Sequence, residues 1–122
     1  MSSEPEVIEF FERLCDAVPE LVPLRAEHLK DYGELLGHLL IADVGRWALQ
    51  ALDEDLAGVD RLLAELERSY GEGQEQVNNM IDVSFLEHLI HEPPDSREAQ
   101  LSRRLPTRLA AEFRQMEDWR PN

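Results

Sequence analysis

The sequence predicts an all-α domain: a compact bundle of five or six helices with two central buried helices at about residues 33–53 and 74–91. Three observations lead there. Apolar residues recur at three- and four-residue spacing, no run sustains the alternation of a half-buried strand, and β-branched residues are few. A chain of 122 residues is long enough for one core, so residues 1–122 are expected to form a single helical domain.

The first helix is expected over residues 4–18. Ser3 and Glu6 have capping-box spacing and Pro5 falls in the first turn. Val7, Ile8, Phe11, Leu14, Cys15 and Val18 form its apolar face. Pro19 and Pro23 then interrupt the pattern, so "PELVPLRAEHLKDY" reads as a loop with a short helical turn. A second helix is expected to start near residues 31–33, where Asp31 and Glu34 repeat the capping-box spacing, and to reach residue 53. The third spans residues 55–70 with Val59, Leu62, Leu63, Leu66 and Tyr70 inward, and stops at "GEG". The fourth covers residues 74–91 and ends before Pro93-Pro94. A last helical region starts at residue 95 or 96 and is divided by Pro106. Its second part carries Leu109, Phe113 and Met116 inward.

The second and fourth helices differ from ordinary amphipathic ones. On the fourth, Val77, Ile81 and Phe85 occupy one side, while Val83, Leu86, Leu89 and Ile90 cover the other. A helix apolar on most sides belongs in the centre of a fold. The second, "ELLGHLLIADVGRWALQAL", has one polar stripe (Asp43, Arg46, Gln50) and small residues at Gly37, Ala42, Gly45 and Ala48 that permit close packing. Ile81, Phe85, Leu89, Leu36, Leu40 and Trp47 are therefore expected in the core.

Charge is the most informative part of the composition. Twelve Lys and Arg face 26 Asp and Glu, for a net charge of -14. Residues 97–122 hold 6 basic and 4 acidic residues, which leaves 6 basic and 22 acidic in residues 1–96. Such a body repels nucleic acid and anionic membrane and attracts basic proteins, although acidity also serves solubility alone. No segment is long and apolar enough to span a membrane, and the start lacks the basic and apolar regions of an export signal. With a single cysteine, Cys15, these features point to the cytoplasm.

Titratable groups at the end of the fourth helix raise two readings. In the first, Asp43, Arg46, Ser84 and Glu87 form a structural polar network, with Ser84 bonded back to the Met80 carbonyl and Glu87 meeting His91, Arg46 or His38. In the second, His38, His88 and His91 ligate a metal and, with Glu87, make a small hydrolase. "EHLIHE" lacks the HExxH spacing of zinc proteases, so the favoured reading has no metal, no other cofactor and no catalytic residue. Cys15 reads as a small buried hydrophobe. In "SREAQLSRRLPTRL", Arg97, Arg103, Arg104 and Arg108 are expected to pair with the acidic body, the alternative being a phosphate contact.

Two blocks, "ELLGHLLIADVGRWAL" and "VNNMIDVSFLEHL", resemble a family of small acidic bacterial proteins that has no assigned activity. The family pattern is close to "ELLPHxLMADVxRW" followed by "VxNLIAVSFLENL". Glu34, His38, Asp43, Arg46 and Trp47 match in the first block, and Asn79, Val83, Ser84, Phe85 and Glu87 in the second. Gly37 stands where proline is common, and His88 where asparagine is common. The resemblance covers roughly residues 5–118.

By analogy of size, charge and fold class, proteins of this kind are similar to immunity proteins that neutralise bacterial toxins. The functional expectation is therefore a non-enzymatic, cytoplasmic protein-binding domain, with a basic toxin domain as partner. Glu9, Glu12, Asp16, Glu20, Glu27 and Asp31 are its expected contact residues. The alternatives are the metal-dependent hydrolase and a regulatory or scaffold module, with a homodimer possible.

Overall fold

A computed structural model describes residues 4–71 and 75–120. Seven α-helices and two 3-10 turns follow one another, with no strand among the described residues. The helices are α1 (Pro5–Ala17), α2 (Val22–Tyr32), α3 (Gly37–Glu54), α4 (Leu56–Ser69), α5 (Glu75–Ser84), α6 (Arg97–Ser102) and α7 (Thr107–Trp119). The 3-10 turns are Pro19–Leu21, before α2, and Leu86–Leu89, after α5. The expected bundle of five or six helices thus has seven α-helices among the described residues.

Helix α1 begins with Pro5 in its first turn, where a missing N–H costs nothing. The expected cap Ser3 lies outside the described residues. Val7, Phe11, Leu14 and Val18 are buried as the periodicity requires, and so is Phe10, which it did not indicate. Because α1 packs against both α4 and α5, its buried stripe is wider than one face. Phe10 and Phe11 meet edge to face with centroids 5.0 Å apart.

The segment read as a loop is largely helical. Pro19 and Pro23 sit at the starts of the 3-10 turn and of α2, positions that tolerate proline, so they begin helices rather than break one. Only His28 of α2 is fully buried, which is why apolar periodicity did not reveal this helix. Gly33, at φ 73°, closes α2 in the left-handed conformation. Asp31 is therefore in the last turn of α2, and α3 starts at Gly37 rather than at 31–33. The Leu36 amide, at the N-cap of α3, donates to Nε2 of His28 at 2.9 Å.

Helix α3 is central, packed chiefly on α5 and also on α4, α6 and α2. Leu40, Ile41, Val44, Ala48 and Ala51 are buried, whereas Leu36 and Trp47 are half-buried. Gly37 lets the neighbours come close. A Cβ there would lie 2.8 Å from Met80 Sδ and 3.0 Å from Val7 Cγ1. Asp55 caps α4 through Oδ1, which accepts from the Gly58 N–H at 3.0 Å. Val59, Leu62, Leu63 and Leu66 are buried in α4 as expected, while Tyr70 is half-buried. Of the expected stop "GEG", only Gly71 is described.

The fourth predicted helix is not continuous, and its expected start at residue 74 lies outside the described residues. Helix α5 ends at Ser84; Phe85 (φ -124°, ψ -65°) breaks it, and Leu86–Leu89 form a 3-10 turn. Ile90 is extended and His91 takes φ 60°. A straight helix with apolar residues on every side cannot bury them all against one layer. The break turns Phe85, Leu86 and Leu89 into the core together and leaves Val83 39% exposed. Ser96 caps α6 by accepting from the Ala99 N–H, and α7 buries Leu109, Phe113 and Met116 as expected.

Candidate functional site

The break after α5 opens a cleft of about 310 Å³ between α3, the Leu86–Leu89 turn and α6. Phe85, Leu89, Leu49 and Leu101 supply its apolar lining, and Ala42 and Gly45 contribute almost no side chain. Arg46, His88, Glu92 and Glu98 are its charged or titratable lining groups, and Ser84 is its buried hydroxyl. Residues from both blocks that carry the family resemblance thus meet here, although they are about 40 positions apart in the chain.

The four residues expected to form one polar network are divided among three pairs. Asp43 and Arg46 pair with each other one turn apart on α3, with the Arg46 side chain largely exposed. Ser84 Oγ hydrogen-bonds Nδ1 of His38 at 2.7 Å, across α5 and α3, instead of the Met80 carbonyl. Glu87 pairs with Arg120 beyond α7, not with His91, Arg46 or His38. The physical reason is the break at Phe85. It rotates Glu87 out of the helical register that the i,i+4 spacing presumes and turns it towards the C-terminal helix.

The three histidines of the alternative metal reading are placed apart by the same break. His38 faces Ser84, His88 lines the cleft, and His91 Nε2–H donates to the Arg120 carbonyl at 2.9 Å. The backbone N–H of His91 also donates to Glu117. Among the described residues, no three His, Cys, Asp or Glu side chains converge as metal ligands. The Ser84–His38 contact has the distance of a nucleophile and its base, yet no third side chain among the described residues holds the other ring nitrogen.

The six expected partner contacts differ in availability. Glu12, Asp16, Glu27 and Asp31 are exposed, and none forms an ion pair among the described residues. Glu9 makes a loose pair with Arg13 at 3.6 Å, the carboxylate exposed and the arginine half-buried. Glu20 is engaged. Its carboxylate takes a forked pair from Arg61, Nη2 to Oε2 at 2.8 Å and Nη1 to Oε1 at 3.2 Å. That guanidinium, aided by a backbone hydrogen bond and by Asp55, holds the Glu20 carboxyl down at about 2.

The arginine-rich segment turns largely onto the body of the protein. Arg97 pairs with Asp53, Arg104 with Asp60 at 2.8 Å, and Arg108 with Glu67 at 3.3 Å. Arg103 instead donates to the Pro94 carbonyl at 3.2 Å. Sequence reasoning missed a polar contact between the end of α4 and α5. Tyr70 donates its hydroxyl to Asp82 at 2.8 Å, and burial together with that bond raises the Tyr70 phenol. Burial also raises Asp82, against the Tyr70 bond and with help from Glu112. Cys15 is half-buried, and its thiol is raised by burial, partly opposed by Arg25, with Asp16 adding to the rise. Such a thiol is a poor nucleophile at neutral pH.

No helix of the described chain is long and apolar enough to cross a membrane. No curated protein and no solved structure matches the chain. The family model for a domain of unknown function, DUF7674, matches residues 11–120, and with most of its length covered the chain belongs to that family.

Proposed function

We propose that this domain is a non-enzymatic, cytoplasmic protein-binding module, and that it acts as an immunity protein by covering the basic active site of a toxin domain. The observation that carries the reading is the division of charge. Most arginines are held in ion pairs with the chain's own carboxylates. The charge left for a partner is therefore acidic, and on α1 and α2 it includes Glu12, Asp16, Glu27 and Asp31. Fields of one sign steer a partner of the opposite sign and raise its association rate. The engaged histidines His38 and His91 also favour binding over hydrolysis, since each ring already has a structural partner.

The test is charge reversal. Glu12, Asp16, Glu27 and Asp31 are changed together to lysine, and folding is followed by circular dichroism. Association with the product of the adjacent gene is followed by stopped-flow fluorescence. Folding should change little, because exposed charges contribute little each. Association should slow by about tenfold or more at low salt, and the difference should shrink as salt rises, because screening sets in over about 8–10 Å near physiological ionic strength. An unchanged, salt-insensitive rate would remove these helices from the interface.

A further inference from the structure

We infer that the cleft between α3, the Leu86–Leu89 turn and α6 receives a cationic side chain, arginine or lysine, of the partner. The inference rests on the reading of this domain as a binder of a basic protein and assigns the place where one residue of that protein anchors. At about 310 Å³ the cleft is at the lower end of the range for ligand pockets, so it suits one side chain rather than a helix. Phe85 is 2% exposed and Leu101 wholly buried, so the lining they share is fixed by the core. Gly45 leaves space beside the Phe85 ring, because even an added Cβ would stop at ordinary contact, 3.5 Å from Cδ1. An apolar lining of this kind suits the methylene stem of a long basic side chain.

The charged lining selects the sign of the head group. Glu92 and Glu98 line the cleft, and neither forms an ion pair among the described residues. The one arginine of the lining, Arg46, is already paired with Asp43. A guanidinium or ammonium entering the cleft meets two carboxylates without an ion pair, whereas a carboxylate or phosphate finds only His88 and the already paired Arg46. Leu39, one turn before Ala42 on the same side of α3, is 47% exposed and offers an apolar shoulder for the neighbouring residue of the partner.

The probe is N-acetyl-arginine amide, titrated into the full chain and followed by amide chemical shifts. N-acetyl-norleucine amide and N-acetyl-glutamate amide are the controls. Saturable shifts at Gly45, Ser84, His88 and Leu101 with the arginine probe, weaker ones with norleucine and none with glutamate, are expected. Glu92→Gln with Glu98→Gln should weaken the arginine probe about tenfold, the effect of a lost charge-assisted hydrogen bond. Gly45→Met, which puts a side chain into the cleft, should abolish those shifts. If Gly45→Met does not fold, the glutamine pair still decides.

Equal binding of the glutamate probe, or arginine-induced shifts confined to α1 and α2, would overturn the inference. This outcome is separable from the proposed function. A partner that loses its association rate on charge reversal of α1 and α2, yet tolerates Gly45→Met unchanged, would uphold that function and remove the cleft.

Discussion

Removing the Glu67 carboxylate should loosen the attachment of α7, and the size of the effect can be worked from three hydrogen bonds. Helix α7 has Pro106 at its N-cap and no side-chain cap of its own. Its first turn is capped across the fold by Glu67 of α4. Oε2 accepts the Arg108 N–H at 2.8 Å, and Oε1 accepts the Leu109 N–H at 3.0 Å. The Glu67 side chain is 17% exposed, so water replaces these bonds poorly. Hydrogen bonds to a charged group contribute about 1.5–3 kcal/mol each, and helix N-termini favour negative charge. The Arg108 guanidinium, 53% exposed, adds at most about 1 kcal/mol. Glu67→Ala should therefore cost about 3–6 kcal/mol, and Glu67→Gln, which keeps one acceptor, about 1.5–3 kcal/mol. Either is a sizeable part of a domain's stability of about 5–15 kcal/mol.

The assay is urea denaturation followed by circular dichroism, repeated from pH 7 down to pH 3. Burial raises the Glu67 carboxyl, but the two backbone N–H groups and the Arg108 guanidinium outweigh it and hold the carboxyl below its usual value. A depressed carboxylate stabilises the fold fully above its unfolded pKa, about 4.3, and that stabilisation is lost as pH falls through the folded value. The gap between wild type and Glu67→Gln should thus be open at pH 7 and close below about pH 4. Equal denaturation midpoints at pH 7, or a gap that stays constant down to pH 3, would refute the tertiary cap.

Phe85→Ala should cost about 3–5 kcal/mol, measured by the same denaturation, because it empties a buried site beneath α3 at the point where α5 breaks. Gly45→Ala should instead stabilise by about 0.5–1 kcal/mol, since it sits inside α3 and its new methyl meets the Phe85 ring at ordinary contact distance. In a carboxyl-carbon NMR titration, Glu20 should titrate near 2 in the wild type and return towards about 4.3 in Arg61→Gln, because the forked guanidinium pair is the main cause of its depression.

Periodicity alone determined the helical class, the buried stripes of α1, α4 and α7 and the central role of α3, because a stripe at three- and four-residue spacing records burial directly. Composition determined the sign of the surface. It did not determine which acids are available: Glu12 and Glu20 are both acidic residues in the sequence, but only Glu20 meets Arg61, and that contact spans 41 positions. Helix α2 was hidden because Pro19 and Pro23, which read as breaks, also fit the starts of the 3-10 turn and of α2, and just one α2 side chain is fully buried. The discontinuity at Phe85 had no local signal, since no proline or glycine marks it. It arises because residues apolar on every side must be buried against α3 and its neighbours together. That one tertiary demand turns Glu87 to Arg120, separates His38, His88 and His91, and opens the cleft. Glu67 at the start of α7 is the same kind of fact. A capping residue beside its helix in sequence is legible, but one supplied from 41 positions away exists only once the helices have packed.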